Sequence, residues 1–284
     1  MSEPSRDIRF LDVDGMRLRT CVSGDAGVGP PLLLITGIGA SLDLAAPFER
    51  ELNRRGVHTI SYDAPGVGES TSYAWPRRMP GVAHTAERLL DTLGHDSADV
   101  FGVSLGGVVA QQLARQAPNR VRRLVLAATG PGLGGIPASP RVLWALATPR
   151  RYYQPDYYRR IAADIYGGVA RRDPDALLHG SLARFTYRPT MRGYAAQLYS
   201  IAGWTSLPWL CRLRQPTLVL AGDDDPIVPL TNGRILARLI PDAQLHVIPG
   251  GGHLFVLEDP DEIAAQVSEF LAADAPSPRR VGPA

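Results

Sequence analysis

Val100-Phe101-Gly102-Val103-Ser104-Leu105-Gly106-Gly107 is the stretch that decides the fold: an apolar strand runs directly into Gly-x-Ser-x-Gly, and helix-forming residues follow. A serine at such a strand-to-helix turn occupies strained backbone, and the flanking glycines let the two elements pass closely. The serine oxygen then stands clear of the sheet, beside the N–H of Leu105 at the start of the helix. The motif alone also fits an ordinary turn, but this strand and helix favour Ser104 as a nucleophile.

Short apolar runs alternate with helical patterns along the chain, which predicts an α/β fold with a doubly wound, mostly parallel sheet of eight strands. Ile8–Val13 and Arg17–Ser23 form an expected antiparallel pair that turns at Asp14-Gly15. Runs without alternation predict strands covered on both faces, at Leu32–Thr36, Val57–Tyr62, Ala98–Val103, Val121–Ala127, Thr217–Ala221 and Gln244–Ile248. Helices are expected at Leu44–Arg55, Gly81–Leu93, Leu105–Gln116, Thr231–Leu239 and Asp261–Leu271.

The alternation is interrupted once, after the sixth strand, by a segment too long for a simple crossover. Residues 131–209 hold eight of the ten Tyr, three of the four Trp, ten Arg and four acids, and we expect them to form a helical cap. Residues 1–130 and 210–273 would then form the core, and residues 274–284 a disordered tail. The cap aromatics either fill a small core of their own or line the entrance to a site.

Composition narrows the class of protein. The formal net charge is +2 and the charges are dispersed, which does not indicate a nucleic-acid partner. Cys21 and Cys211 lack the spacing of a disulfide framework or a zinc site, and both are expected to be buried. The first fourteen residues lack an apolar leader, and no run of about 18 apolar residues predicts a transmembrane segment. A cytoplasmic protein is expected.

A serine nucleophile needs a base, and the base needs an acid that orients it. His253 follows Pro249-Gly250-Gly251-Gly252 after the last strand, at the carboxyl edge of the sheet where Ser104 is also expected. Asp225 follows the predicted strand Thr217–Ala221 and precedes Pro226, which holds the backbone extended. Asp223 and Asp224 are interpreted as turn formers. The order Ser104, Asp225, His253 is that of α/β-hydrolases.

An oxyanion hole completes such a site. Leu105 N–H is one expected donor, and the glycine-rich turn Thr36-Gly37-Ile38-Gly39-Ala40 offers Ile38 N–H as the second. Many hydrolases carry His at the position of Thr36. No metal or organic cofactor is needed for this chemistry.

Further segments resemble a narrower group. The cap stretch Thr148-Pro149-Arg150-Arg151-Tyr152-Tyr153-Gln154-Pro155, with Ile165-Tyr166-Gly167-Gly168, Gly203-Trp204-Thr205-Ser206 and Gln215–Pro229, is similar to intracellular poly(3-hydroxyalkanoate) depolymerases of the α/β-hydrolase superfamily. The similarity extends over roughly residues 8–271. One departure is Leu105, where relatives of the medium-chain type carry Trp.

The resemblance implies hydrolysis of a storage polyester by Ser104, Asp225 and His253, with a granule surface as a partner of the cap. Candidate substrate contacts are Gly37, Trp144, Tyr166 and Trp204. The alternatives are a small-molecule carboxylesterase or lactonase of the same fold, and a non-catalytic binding protein that kept the fold. Oligomeric state and acyl chain length are not fixed by these patterns.

Overall fold

The sheet is built from eight strands and is flanked by helices on both faces. A computed structural model of the protein describes residues 6–25, 29–173 and 183–273. The strands are β1 (Arg6–Val13), β2 (Met16–Ser23), β3 (Leu32–Ile35), β4 (Thr59–Tyr62), β5 (Ala98–Val103), β6 (Val121–Ala127), β7 (Thr217–Gly222) and β8 (Ala243–Ile248). Their spatial order is β1-β2-β4-β3-β5-β6-β7-β8. β1 and β2 pair antiparallel with each other, β2 pairs antiparallel with β4, and the remaining pairs are parallel.

The helices of the core alternate with these strands, as the sequence pattern predicts. The core helices are α1 (Ala46–Arg54), α2 (Met79–Thr92) and α3 (Leu105–Gln116), and, after the cap, α9 (Leu230–Leu239), α10 (Phe255–Glu258) and α11 (Pro260–Ala272). Between β6 and β7 lie α4 (Pro140–Leu146), α5 (Pro155–Tyr166), α6 (Gly168–Arg172), α7 (Ala183–Thr186) and α8 (Met191–Ile201). The eight-stranded α/β-hydrolase architecture with helices inserted after the sixth strand is confirmed.

Alternating side chains along the strands build one hydrophobic layer on each face of the sheet. Leu33 packs with α2 and α3 on one face, whereas Leu32 and Leu34 pack with α1 and α11 on the other. The cap has a separate small core around Tyr158 and Ile165. The division at residues 131 and 209 stays a prediction, and the expected tail at 274–284 lies outside the described residues.

Local boundaries differ from the predictions for identifiable reasons. α2 begins at Met79 rather than Gly81, because Pro80 sits in the first turn, where its missing N–H costs nothing. β4 begins at Thr59, because the N–H of Val57 instead closes the end of α1 on the carbonyl of Leu52. The Asp14-Gly15 turn forms as predicted, with positive φ at both residues.

Two predictions of burial were wrong. Cys21 is buried in β2, but Cys211 is exposed at the short helical turn before β7. β8 is the last strand of the sheet, so its side chains alternate between partly buried and exposed instead of being covered on both faces. His246 is therefore exposed at this edge.

Candidate active site

The turn between β5 and α3 holds Ser104 in strained backbone, with φ +54° and ψ −117°. Both flanking glycines are required by close approach: a Cβ at Gly102 would lie 2.4 Å from the carbonyl oxygen of Gly106. A Cβ at Gly106 would lie 2.0 Å from the carbonyl oxygen of Ile35 on the neighbouring strand. The serine is therefore presented above the carboxyl edge of the sheet by backbone packing that no larger residue permits.

Ser104, His253 and Asp225 form one continuous chain of hydrogen bonds. Ser104 Oγ lies 3.0 Å from His253 Nε2, and His253 Nδ1 lies 2.8 Å from Asp225 Oδ2. The other carboxylate oxygen, Oδ1, accepts from the N–H groups of Ile227 and Val228 at 2.8 and 2.9 Å. A carboxylate only accepts, so Nδ1 must donate to it, which leaves the lone pair of Nε2 facing the serine hydroxyl.

The cap supplies a support for the histidine loop that the sequence did not reveal. The N–H of His253 donates to the carbonyl of Tyr166 at 2.7 Å. Gly252 packs against the same peptide so tightly that a Cβ on it would lie 2.2 Å from the Tyr166 carbonyl oxygen. Asp224, interpreted from sequence as a turn former, accepts from Gly168 N–H at 2.8 Å and forms an ion pair with Arg171. In the sequence, the Tyr166-Gly167-Gly168 stretch contributed to the resemblance, but no local pattern indicated that it supports His253.

The two expected oxyanion donors belong to segments next to Ser104. A Cβ built on Gly37 would lie 3.3 Å from Ser104 Cβ, which places the Ile38 turn against the serine. Within the described ranges, neither Ile38 N–H nor Leu105 N–H has a hydrogen-bond acceptor in the protein. Both donors are therefore available to an oxygen bound beside Ser104, although their role stays a prediction.

Two side chains of the cap hold this turn in place. The hydroxyl of Tyr152 donates to the Ile38 carbonyl at 2.6 Å, and the N–H of Gly39 donates to Gln197 Oε1 at 2.8 Å. The peptide group between Ile38 and Gly39 is thus held at both its carbonyl and its N–H, while the N–H of Ile38 itself stays available. Neither cap residue was expected from the sequence.

The loop after β4 is braced by a buried charge. Asp63 accepts from Leu42 N–H at 2.7 Å and lies 3.2 Å from Arg19 Nη1. Burial raises the pKa of Asp63 to about 6, because the loss of water outweighs the opposing effect of the Leu42 N–H and the Arg19 guanidinium. This carboxyl group stabilises the fold under the cap and does not contact the serine.

Two cavities meet at Ser104. The inner cavity is bordered by Gly37, Ser104, Tyr166 and His253, with apolar walls from residues such as Phe48 and Phe101. An outer groove shares Ile38 and Ser104 with it and runs past apolar side chains including Ile136, Leu143, Leu198 and Val228. An ester placed at the serine therefore has apolar space on both sides.

The four candidate substrate contacts divide evenly. Gly37 and Tyr166 border the inner cavity, as expected for residues that touch a substrate. Trp144 borders neither space and is 80% exposed on the cap surface. Trp204 packs against Trp209 and donates its indole N–H to Gln112, so its position is explained by the core. The geometry therefore does not support the last two as contacts inside the site.

A family model described as alpha/beta hydrolase fold matches residues 30–260. The chain belongs to the α/β-hydrolase family and is a hydrolase of that family. A poly(3-hydroxyalkanoate) depolymerase of Ectopseudomonas oleovorans is 46% identical over 264 residues, covering 93% of this chain and 92% of the relative. The resemblance seen in the sequence is confirmed.

More distant relatives extend the comparison. A 2-hydroxy-6-oxo-6-phenylhexa-2,4-dienoate hydrolase of Burkholderia cepacia is 28% identical, covering 87% of this chain and 90% of the relative. Among solved structures, a hydrolase from Pseudomonas aeruginosa PA01 is 28% identical with a TM-score of 0.79, covering 94% of this chain and 99% of that one. In the described part of the chain, no helix has the length and apolar character needed to cross a membrane.

Proposed function

We propose that this protein is a serine carboxylic-ester hydrolase that cleaves poly(3-hydroxyalkanoate) polyester or its oligomers through an acyl-enzyme. The observation that carries the proposal is the hydrogen-bond chain from Ser104 Oγ through His253 to Asp225. This arrangement suits two tasks: His253 can remove the serine proton, and Asp225 can stabilise the imidazolium that results.

Each residue has a defined part in the reaction. Ser104 Oγ attacks the ester carbonyl while its proton passes to His253 Nε2, and the N–H groups of Ile38 and Leu105 bind the oxyanion. The C–O bond to the alcohol then breaks, and His253 gives the proton to the departing oxygen. Water, deprotonated by the same nitrogen, attacks the acyl-enzyme and restores the serine hydroxyl.

The polyester is favoured as substrate by two features. A 46% identical relative that spans nearly the whole chain bears the name of a poly(3-hydroxyalkanoate) depolymerase. The outer groove offers an apolar path to Ser104. Ile136 (47%) and Leu143 (50%) are exposed on its wall, and Leu133 (68%) and Trp144 (80%), which are close to them in sequence, are exposed as well. Such a cluster suits contact with an apolar polymer surface, and we assign Trp144 to that contact and the protein to polyester granules.

The catalytic part of the proposal is tested with Ser104→Ala. We expect hydrolysis of a p-nitrophenyl acyl ester to fall by at least about 10³-fold, as for other triad serines, and labelling by a fluorophosphonate probe to disappear. Normal ester hydrolysis by the variant would refute the mechanism. Absence of labelling in the wild type would instead favour a binding protein on the hydrolase fold.

The substrate is tested by clearing of amorphous polyester emulsions with short and medium side chains. Trp144→Ala should slow clearing while leaving p-nitrophenyl butyrate hydrolysis unchanged. Trp75→Ala is a matched control, because this tryptophan is 81% exposed but follows β4, outside the cap. Hydrolysis of soluble esters without clearing of any emulsion would favour a small-molecule esterase or lactonase.

A further inference from the structure

Two arginines of the cap border the inner cavity together with the nucleophile. Arg151 and Arg184 are each only 2% exposed, and both belong to the cavity wall that includes Ser104 and His253. Arginine side chains are rarely buried to this degree unless a carboxylate neutralises them. Their position beside the reacting atoms therefore calls for a chemical explanation.

No carboxylate partner is present among the residues that the structure describes. Arg151 Nη1 donates to the hydroxyl of Tyr194 at 2.7 Å and to the carbonyl of Thr148 at 3.4 Å, and Arg184 Nη1 donates to the hydroxyl of Tyr166 at 3.2 Å. The buried Nε of both arginines and Nη2 of Arg184 have no hydrogen-bond partner. Three strong donors of these two cavity-lining arginines are thus left without an acceptor among the described residues.

Aromatic rings hold the two cations without neutralising them. Arg151 lies 4.7 Å from the ring centre of Tyr152, and Arg184 lies 5.1 Å from the rings of Tyr152 and Tyr158. Rings of this kind attract a cation but add no formal negative charge. Burial alone would lower the pKa of Arg151, but the surrounding tyrosine hydroxyls raise it above its ordinary value. Both guanidiniums remain charged, so the site retains an excess of positive charge.

We propose that Arg151 and Arg184 bind a substrate carboxylate, and that the enzyme therefore cleaves 3-hydroxyalkanoate chains at their carboxyl end. This inference rests on the proposed function. A linear 3-hydroxyalkanoate chain has one carboxylate, on the terminal unit whose hydroxyl is esterified to the rest of the chain. With that carboxylate in the inner cavity, the acyl portion extends along the outer groove.

The chemistry of each turnover follows from this placement. Ser104 Oγ bonds to the carbonyl carbon of the ester that joins the terminal unit to the rest of the chain, and the C–O bond to the oxygen of the terminal unit breaks. His253 protonates the departing alkoxide, so a free 3-hydroxy acid leaves with its carboxylate still facing the arginines. Water then hydrolyses the shortened acyl-enzyme, which produces a new carboxyl end for the next turnover.

The test compares a 3-hydroxybutanoate dimer as the free acid with the methyl ester of the same dimer. The wild type should show a higher kcat/KM for the free acid. Arg184→Gln should lower the ratio of the two kcat/KM values by about 10- to 100-fold, the range expected when charge-assisted hydrogen bonds are lost. Arg141→Gln removes an equal charge from an exposed site on the cap, where Arg141 pairs with Asp164, and should leave the ratio unchanged.

A ratio near one in the wild type, or an equal loss on both dimers in Arg184→Gln, would overturn the carboxylate site. Inhibition of the wild type provides a test that does not depend on the folding of a variant. With p-nitrophenyl butyrate as substrate, 3-hydroxybutanoate should inhibit competitively and at least about 10-fold better than its methyl ester. Equal inhibition would also overturn the site. Cleavage of neither dimer and no clearing of any polyester emulsion, with this preference in inhibition intact, would refute the polyester substrate and support the carboxylate site.

Discussion

Replacement of Asp225 by Asn changes one atom of the site and should nearly abolish activity. Asp225 Oδ1 accepts two backbone N–H groups, from Ile227 and Val228, while Oδ2 faces His253 Nδ1. An asparagine amide must place its oxygen on the two backbone donors, because the reverse orientation would point its NH₂ group at both of them. The NH₂ group then faces His253 and donates to Nδ1, which forces the proton onto Nε2, where it blocks the transfer from Ser104.

The size of the effect can be worked out from these contacts. Turning the amide the other way leaves two buried N–H groups without acceptors, at about 1–3 kcal/mol each. A total of about 2–6 kcal/mol keeps the productive orientation at or below about 3% of molecules. The loss in kcat is therefore at least about 30-fold, and the equivalent change in the serine-protease triad, where it leaves the geometry intact, costs about 10⁴-fold. We expect a loss between these limits, with KM little changed.

The assay is steady-state hydrolysis of p-nitrophenyl butyrate, with circular dichroism to verify that the variant is folded. Asp223→Asn is the matched control, because its amide oxygen can still accept from Gly250 N–H, as the carboxylate does at 2.6 Å. This control should retain most of the wild-type activity. A folded Asp225→Asn variant with more than a tenth of the wild-type kcat would refute the reasoning about the amide, as would an equal loss in the control.

Two further predictions concern the supports of the site. Gln197→Ala removes the acceptor for Gly39 N–H and should lower kcat by about 10-fold, with KM within about twofold; loss of a whole oxyanion donor would lower kcat by about 10²–10³-fold. Gln197→Glu keeps an acceptor oxygen and should restore much of the rate. An unchanged kcat in the alanine variant would contradict this role. Asp63 has a raised pKa of about 6 in the folded protein, so the unfolded chain loses this proton first as the pH rises. Between about pH 4 and 6 the wild type should therefore lose up to about 3 kcal/mol of unfolding free energy relative to Asp63→Asn, at about 1.4 kcal/mol for each pKa unit. The unfolding free energies of both proteins are measured by denaturation across this range, and a difference between them that does not change with pH would exclude the effect.

The sequence predicted the parts of the fold that depend on local pattern. β5, β6 and α3 begin and end at the predicted residues, because short, mostly apolar runs and the glycines around Ser104 leave few alternatives. Ser104, Asp225 and His253 were found in the same way, since each follows its own strand at one edge of the sheet. Their convergence in the structure depends on the parallel topology, which the alternating pattern had already indicated.

Long-range contacts set the limit of these predictions. Gln197 lies 158 residues from Gly39, and no local pattern links an amide side chain to a backbone N–H at that distance. The burial of Arg151 and Arg184 was also invisible, because an Arg-rich segment is ordinarily read as a solvated surface. Trp144 and Trp204 were selected as aromatic residues of the expected cap, Trp204 also from a segment of the resemblance, and neither ground distinguishes a surface or a core position from a cavity wall.

The hydrogen bond from His253 N–H to the Tyr166 carbonyl has a consequence for protein engineering. Exchange of lids between related enzymes treats the lid as a module that alters selectivity and leaves the catalytic machinery intact. Here the proposed general base, His253, is held by main chain from the cap, and Gly168 and Gly252 approach too closely to admit a Cβ on either. A chimera that carries a foreign lid therefore needs the Tyr166-Gly167-Gly168 stretch transplanted together with its partner loop at residues 249–253.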